Sequence, residues 1–175
     1  MTKRFPGSAT LVNPLLDPMS GFTWDPLVMT GMEELQPLPT PPDAPTVPGS
    51  LAVYEVPVAQ LSGGGSLTIA GQPAVSLHLV TAAPRVQLDV RLFDVDAGGA
   101  KQLVTRGTYT ADSGSPTTPI DATSVTILTY GNLWRAEAGH TLRLELTNVD
   151  SPYITPSRVP STSTVNQVQL YIPIR

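Results

Sequence analysis

The chain has 175 residues, with 10 Lys+Arg against 14 Asp+Glu, two His, no Cys and a formal net charge of −4. That balance excludes the basic footprint of a binder of nucleic acid or anionic membrane, and the missing thiols exclude disulfides, thiolate catalysis and cysteine-based zinc sites. Hydrophobic residues at 41% exclude a largely disordered polymer, so one domain with a real core is expected.

The first fifty residues read differently from the rest. No apolar run approaches the roughly 18 residues of a membrane span, and the start MTKRFPGSAT lacks the apolar centre of a signal peptide. The reading leans to the cytoplasm without locating the protein. Ten of the 19 prolines fall in residues 1–50, densest in PLPTPPDAPTVP over 37–48. Proline fixes φ and removes a backbone donor, so such a tract runs extended. Residues 5–84 carry six acids and no Lys or Arg, whereas residues 85–175 hold eight of each sign. These contrasts predict a Pro-rich linker or docking segment over 1–50, with at most a helical turn over 31–38, and a folded domain over 51–175.

From Leu51 onward the pattern is β. Strands are predicted over 51–56, 66–70, 74–82, 86–95, 102–110, 124–130, 141–148 and 167–174. Period-2 alternation is clearest at Val86, Leu88, Val90 and Leu92 and at Leu142, Leu144 and Leu146. Gly63-Gly64-Gly65, Gly71-Gln72-Pro73, Ala97-Gly98-Gly99 and Ala138-Gly139 supply turns between them. About eight short strands without βαβ alternation predict an all-β, two-sheet sandwich of jelly-roll type.

Chemistry is sparse. A serine hydrolase of the α/β type needs Gly-x-Ser-x-Gly, and no such pentapeptide exists in the sequence. Only His78 and His140 are available as general bases; the first falls on the polar side of its strand and the second beside Gly139 at a strand start, positions that suit hydrogen bonding better than catalysis. Asp94 and Asp96 resemble the opening of a calcium loop, but Thr105 stands where the twelfth-place glutamate belongs, and a hairpin turn accounts for both acids. No cofactor is expected. Tyr130, Trp134 and Tyr153 near strand ends could form a stacking platform for a sugar, or simply close the core.

Four segments resemble a known family. VQLDVRLFDVD over 86–96 followed by AGG, and LVTRG over 103–107, are similar to the first long hairpin of the C-terminal, non-catalytic domain of X-Pro dipeptidyl-peptidases and cocaine-esterase-type hydrolases. WRAEAGHTLRLEL over 134–146, NVDSPY over 148–153 and SLTIAGQP over 66–73 match, in order, its Gly-His strand, the loop after it and the strand and turn that open the sandwich. AGG replaces the usual Pro-Asp-Gly turn. The resemblance implies a galactose-binding-like jelly roll that packs on an α/β-hydrolase domain, shapes its substrate entrance or aids homo-oligomerisation. The family's catalytic Ser, Asp and His lie in that other domain, and none maps onto this sequence. The competing reading is a stand-alone module for carbohydrate or another ligand.

Overall fold

The computed structural model describes residues 1–13, 49–120, 123–148, 150, 157 and 159–175. Among these residues eleven strands and one short helix follow in order: β1 (Thr2–Arg4), β2 (Ser8–Asn13), β3 (Leu51–Pro57), α1 (Val58–Ser62), β4 (Leu67–Gly71), β5 (Ala74–Thr81), β6 (Arg85–Val95), β7 (Lys101–Asp112), β8 (Thr123–Leu128), β9 (Asn132–Ala136), β10 (Thr141–Thr147) and β11 (Ser161–Tyr171). All named pairings are antiparallel. One sheet places β1 and β2 along one side of β11, with β5 and then β8 on the other; the second runs β3-β10-β6-β7, and β4 pairs with β9 apart from both. The all-β sandwich expected from the sequence is the fold the chain adopts.

Alternation explains the core. Leu88, Val90 and Leu92 of β6 and Leu142, Leu144 and Leu146 of β10 face Val75, Leu77 and Leu79 of β5 and Val165, Val168 and Leu170 of β11 in one buried cluster. Each such side chain contributes about 1.5–3 kcal/mol by leaving water. The helix α1 is a single turn, and Gly63 ends it in the left-handed conformation at φ 73°.

Three expectations need correction. The segment 1–50 is not wholly a linker: β1 pairs with β11 from Thr2↔Tyr171 to Arg4↔Gln169, and β2 pairs from Ser8↔Asn166 to Asn13↔Ser161. Phe5 and Leu11 are buried in the core, and residues 14–48, with the proposed turn at 31–38, lie outside the described residues. Pro6 and Gly7 break the pattern, so the two short strands read as loop. β9 was not expected, because Asn132–Ala136 offers one exposed leucine, Leu133, and no apolar alternation. Last, β11 begins six residues earlier than predicted. Its first half is hydroxyl-rich, and a bulge between Asn166 and Gln169 shifts the buried positions from 161, 163 and 165 to 168 and 170. Gln167 takes φ 52° in that bulge, and the period-2 signal breaks there.

Among the described residues no helix is long and apolar enough to cross a membrane.

Candidate functional site

The face of the second sheet that points away from the core carries charges in cross-strand rows. Antiparallel register sets Val53, Glu145, Arg91 and Arg106 side by side across β3, β10, β6 and β7. The next row is Glu55, Arg143 and Phe93. Directly opposed residues on one face lie close enough to interact, and like charges there are unfavourable. Arg91 and Arg106 are such a like-charged pair. Asp150, from the segment after β10, resolves the conflict by lying 3.4 Å from Arg91 Nη1 and 3.0 Å from Arg106 Nη1.

The ion pairs continue sideways. Arg91 Nη2 meets Glu145 Oε2 at 2.7 Å, Arg143 Nε donates to Glu145 Oε1 at 2.8 Å, and Arg143 Nη1 lies 3.4 Å from Glu55. Lys101 Nζ stands 3.6 Å from Glu145 Oε1 and 5.0 Å from the centre of the Phe93 ring. Arg91, Glu145 and Asp150 are almost fully buried. A charge held out of water without partners costs several kcal/mol, so each member here depends on the others. Asp89, fully buried, accepts from Gln87 Nε2 at 3.0 Å and Thr108 Oγ1 at 2.8 Å. Burial nevertheless raises its pKa to about 6, the two hydrogen bonds opposing. Burial raises Asp150 too, against the lowering effect of Arg106 and Arg91. The exposed Asp112 is lowered, first by its hydrogen bond to Arg85 and then by the Gly114 amide.

The sequence candidates take structural posts. Asp94, buried, accepts from Trp134 Nε1 at 2.9 Å through Oδ2 and lies 2.9 Å from His140 Nδ1 through Oδ1. An ionised carboxylate only accepts, so Nδ1 is the donating ring nitrogen of His140 in this contact. This trio ties β9 to β6 and β10. Asp96 Oδ1 accepts from the Gly98 and Ala100 amides at 2.8 and 2.9 Å, shaping the β6–β7 turn. Both acids are thus engaged by the chain itself, and among the described residues no group of three or more His, Cys, Asp or Glu is placed to hold a metal. His78 is half-buried on β5, in register with Asn166 and Ser124. It sits on the first sheet, whereas His140 directly precedes β10 of the second. Of the aromatic trio, Tyr130 is 73% exposed, Trp134 is half-buried and hydrogen-bonded to Asp94, and Tyr153 lies outside the described residues. The Arg91–Glu145–Asp150–Arg106 network escaped the sequence reading. Its signal is the register of the β6–β7 hairpin, which counts Arg91 opposite Arg106.

The model of the X-Pro dipeptidyl-peptidase C-terminal non-catalytic domain matches residues 64–171, more than half of the chain. The chain belongs to this family. The hairpin and Gly-His segments that carry the resemblance both lie inside the match. No curated protein sequence matches the chain. Solved structures show the same fold at low identity. An aminopeptidase from a marine sediment Thaumarchaeota archaeon aligns with a TM-score of 0.59 and 16% identity, covering 73% of this chain and 26% of that one. An alpha-amino acid ester hydrolase aligns at 0.55 with 18% identity over 73% and 26%. A CocE/NonD family hydrolase from Staphylococcus aureus aligns at 0.56 with 10% identity over 71% and 30%. The X-Pro dipeptidyl-peptidase C-terminal domain described here thus spans between a quarter and a third of those hydrolases. Within it, Gly107 closes the LVTRG motif for a steric reason: a Cβ there would overlap the backbone carbonyl of Leu128 and stand 3.1 Å from Thr129 Cα.

Proposed function

We propose that this domain acts as the non-catalytic accessory module of an X-Pro dipeptidyl-peptidase-type serine hydrolase. It packs on the α/β-hydrolase domain and there shapes substrate access or assembly. The observation that carries the reading is the family match over 64–171. Three features support it. The sequence has no Gly-x-Ser-x-Gly; Asp94 and His140 serve as a brace for Trp134; and the buried Arg91 of β6 and Glu145 of β10 form an ion pair. Such groups hold a rigid shape.

The test joins two measurements. The purified chain is assayed on X-Pro dipeptide amides and simple esters, and protein isolated from its native source is examined by intact-mass and proteomic mass spectrometry. The expected result is no turnover by the chain alone, and an α/β-hydrolase domain present at equal stoichiometry, in the same polypeptide or a bound one. Turnover by the chain that His140→Ala abolishes would overturn the proposal, as would native material containing no hydrolase domain.

A further inference from the structure

At the corner of the sandwich, β7 passes beneath the end of β8 and a cleft of about 460 Å³ opens. That volume lies in the range of small-ligand sites, ~300–1,000 Å³. Arg106 and Asp150 lie in its wall as an ion pair at 3.0 Å, so the lining carries no net charge from them. Neither an anion nor a cation is favoured. Thr108 adds a hydroxyl, and Gln72 adds a side-chain amide whose Nε2 is committed to Thr129 O at 2.7 Å, which aims the remaining carbonyl oxygen elsewhere. Among the described residues each Asp150 oxygen is paired with one arginine, and a carboxylate oxygen accepts more than one hydrogen bond.

The rim is apolar. Tyr130 is 73% exposed and Leu128 59% exposed, and both line the cleft. A large aromatic ring left in water beside a cluster of acceptors has two uses at once: its face covers C–H surface, and the acceptors take O–H groups. The wall is also stiff. Tyr130 N donates to Arg106 O at 3.0 Å, Thr105 Oγ1 donates to Tyr130 O at 2.7 Å, and Gly107 lies directly against the Leu128 backbone. A preformed wall loses little ordering entropy when a ligand enters.

We propose that this cleft binds a neutral saccharide unit, with the sugar ring stacked on Tyr130 and its hydroxyls donated to Asp150, Thr108 and the Gln72 carbonyl oxygen. Trp134, braced on Asp94, takes no part. The site goes beyond the accessory role above and stands or falls separately from it.

The experiment is titration of the full chain with cellotetraose, xylotetraose and β-1,4-galactotetraose, followed by two-dimensional amide NMR and calorimetry, with glycerol as a ringless polyol control. At least one tetraose is expected to shift the Gly107, Thr108 and Tyr130 amides and the Gln72 side-chain amide. Tyr130→Ala is expected to weaken that binding about tenfold or more, which corresponds to about 1.4 kcal/mol. Tyr130→Phe keeps the ring and stays within about twofold, and both variants melt as the parent does because the side chain is largely exposed. The proposal is overturned if none of the three sugars shifts these signals, if the shifts centre on Trp134, if glycerol reproduces them, or if Tyr130→Ala binds as tightly as the parent.

Discussion

Asp89 makes the stability of this domain depend on pH in an uncommon direction. Its side chain is fully buried, and burial raises its pKa from 3.8 to about 6. Between those two values the folded state therefore holds a proton that the unfolded chain has already released. Stability from this group is complete below the ordinary carboxylate pKa and is lost as pH rises through about 6. At about 1.36 kcal/mol per pH unit of displacement, the full loss is about 3 kcal/mol, of which about 2 falls between pH ~4.5 and ~7. Asp150, raised by burial as well, works in the same sense. Asp89→Asn removes the titration while keeping the shape: the amide oxygen still accepts from Thr108, and Gln87 turns its own amide to accept from the new N–H. Urea unfolding followed by tryptophan fluorescence at stepped pH should show the variant more stable than the parent near pH 7, with the gap closing towards pH ~4.5. Parallel curves for the two proteins across that window would refute the argument, since Asp89 would then ionise alike in both states.

Three further substitutions probe separate parts of the structure. Gly107→Ala forces a methyl group onto the Leu128 backbone, which cannot swing aside as a side chain could, and should cost at least about 1–3 kcal/mol in thermal unfolding. Leu144→Ala empties a fully buried site on β10 and should cost about 2–5 kcal/mol by denaturant titration; a melt like the parent's would mean the register of that strand is wrong. Asp94→Ala strands the Trp134 and His140 donors together and should cost about 2 kcal/mol or more, with a shift in tryptophan emission as the brace on β9 loosens.

The sequence revealed what short-range periodicity controls. β5, β6 and β10 announce themselves because one face is apolar at every second residue, and the structure places each within a few residues of expectation. β1 and β2 hid behind Pro6 and Gly7, and the first half of β11 hid because Ser161 and Ser163, not large apolar residues, point into the protein. The charged face of the second sheet was harder still. Alternation marks Asp89, Arg91 and Glu145 as facing away from the core, but it says nothing about whether that side meets water. Tertiary cover decides that, and these three are buried. The cleft was beyond reach for another reason. Its members come from residues 72, 106–108, 128–130 and 150, which only the crossing of β7 and β8 brings together.

The position of β11 governs how the domain can assemble. This strand sits inside its sheet, with β1 and β2 on one flank and β5 on the other, yet it comes last among the described strands. A ribosome therefore exposes β2 and β5 long before the strand that joins them; β5 can pair with β8 meanwhile, but neither can reach β11 until residues 161–171 are out. Pairings between the two ends of a sequence make for slow folding. Until they form, the open flanks of β2 and β5 are templates for strands of other molecules. The second sheet, with Asp89 and the ion pairs around Asp150, contains no part of β11 and can close first, so the hazard falls on the first sheet in the interval before β11 arrives.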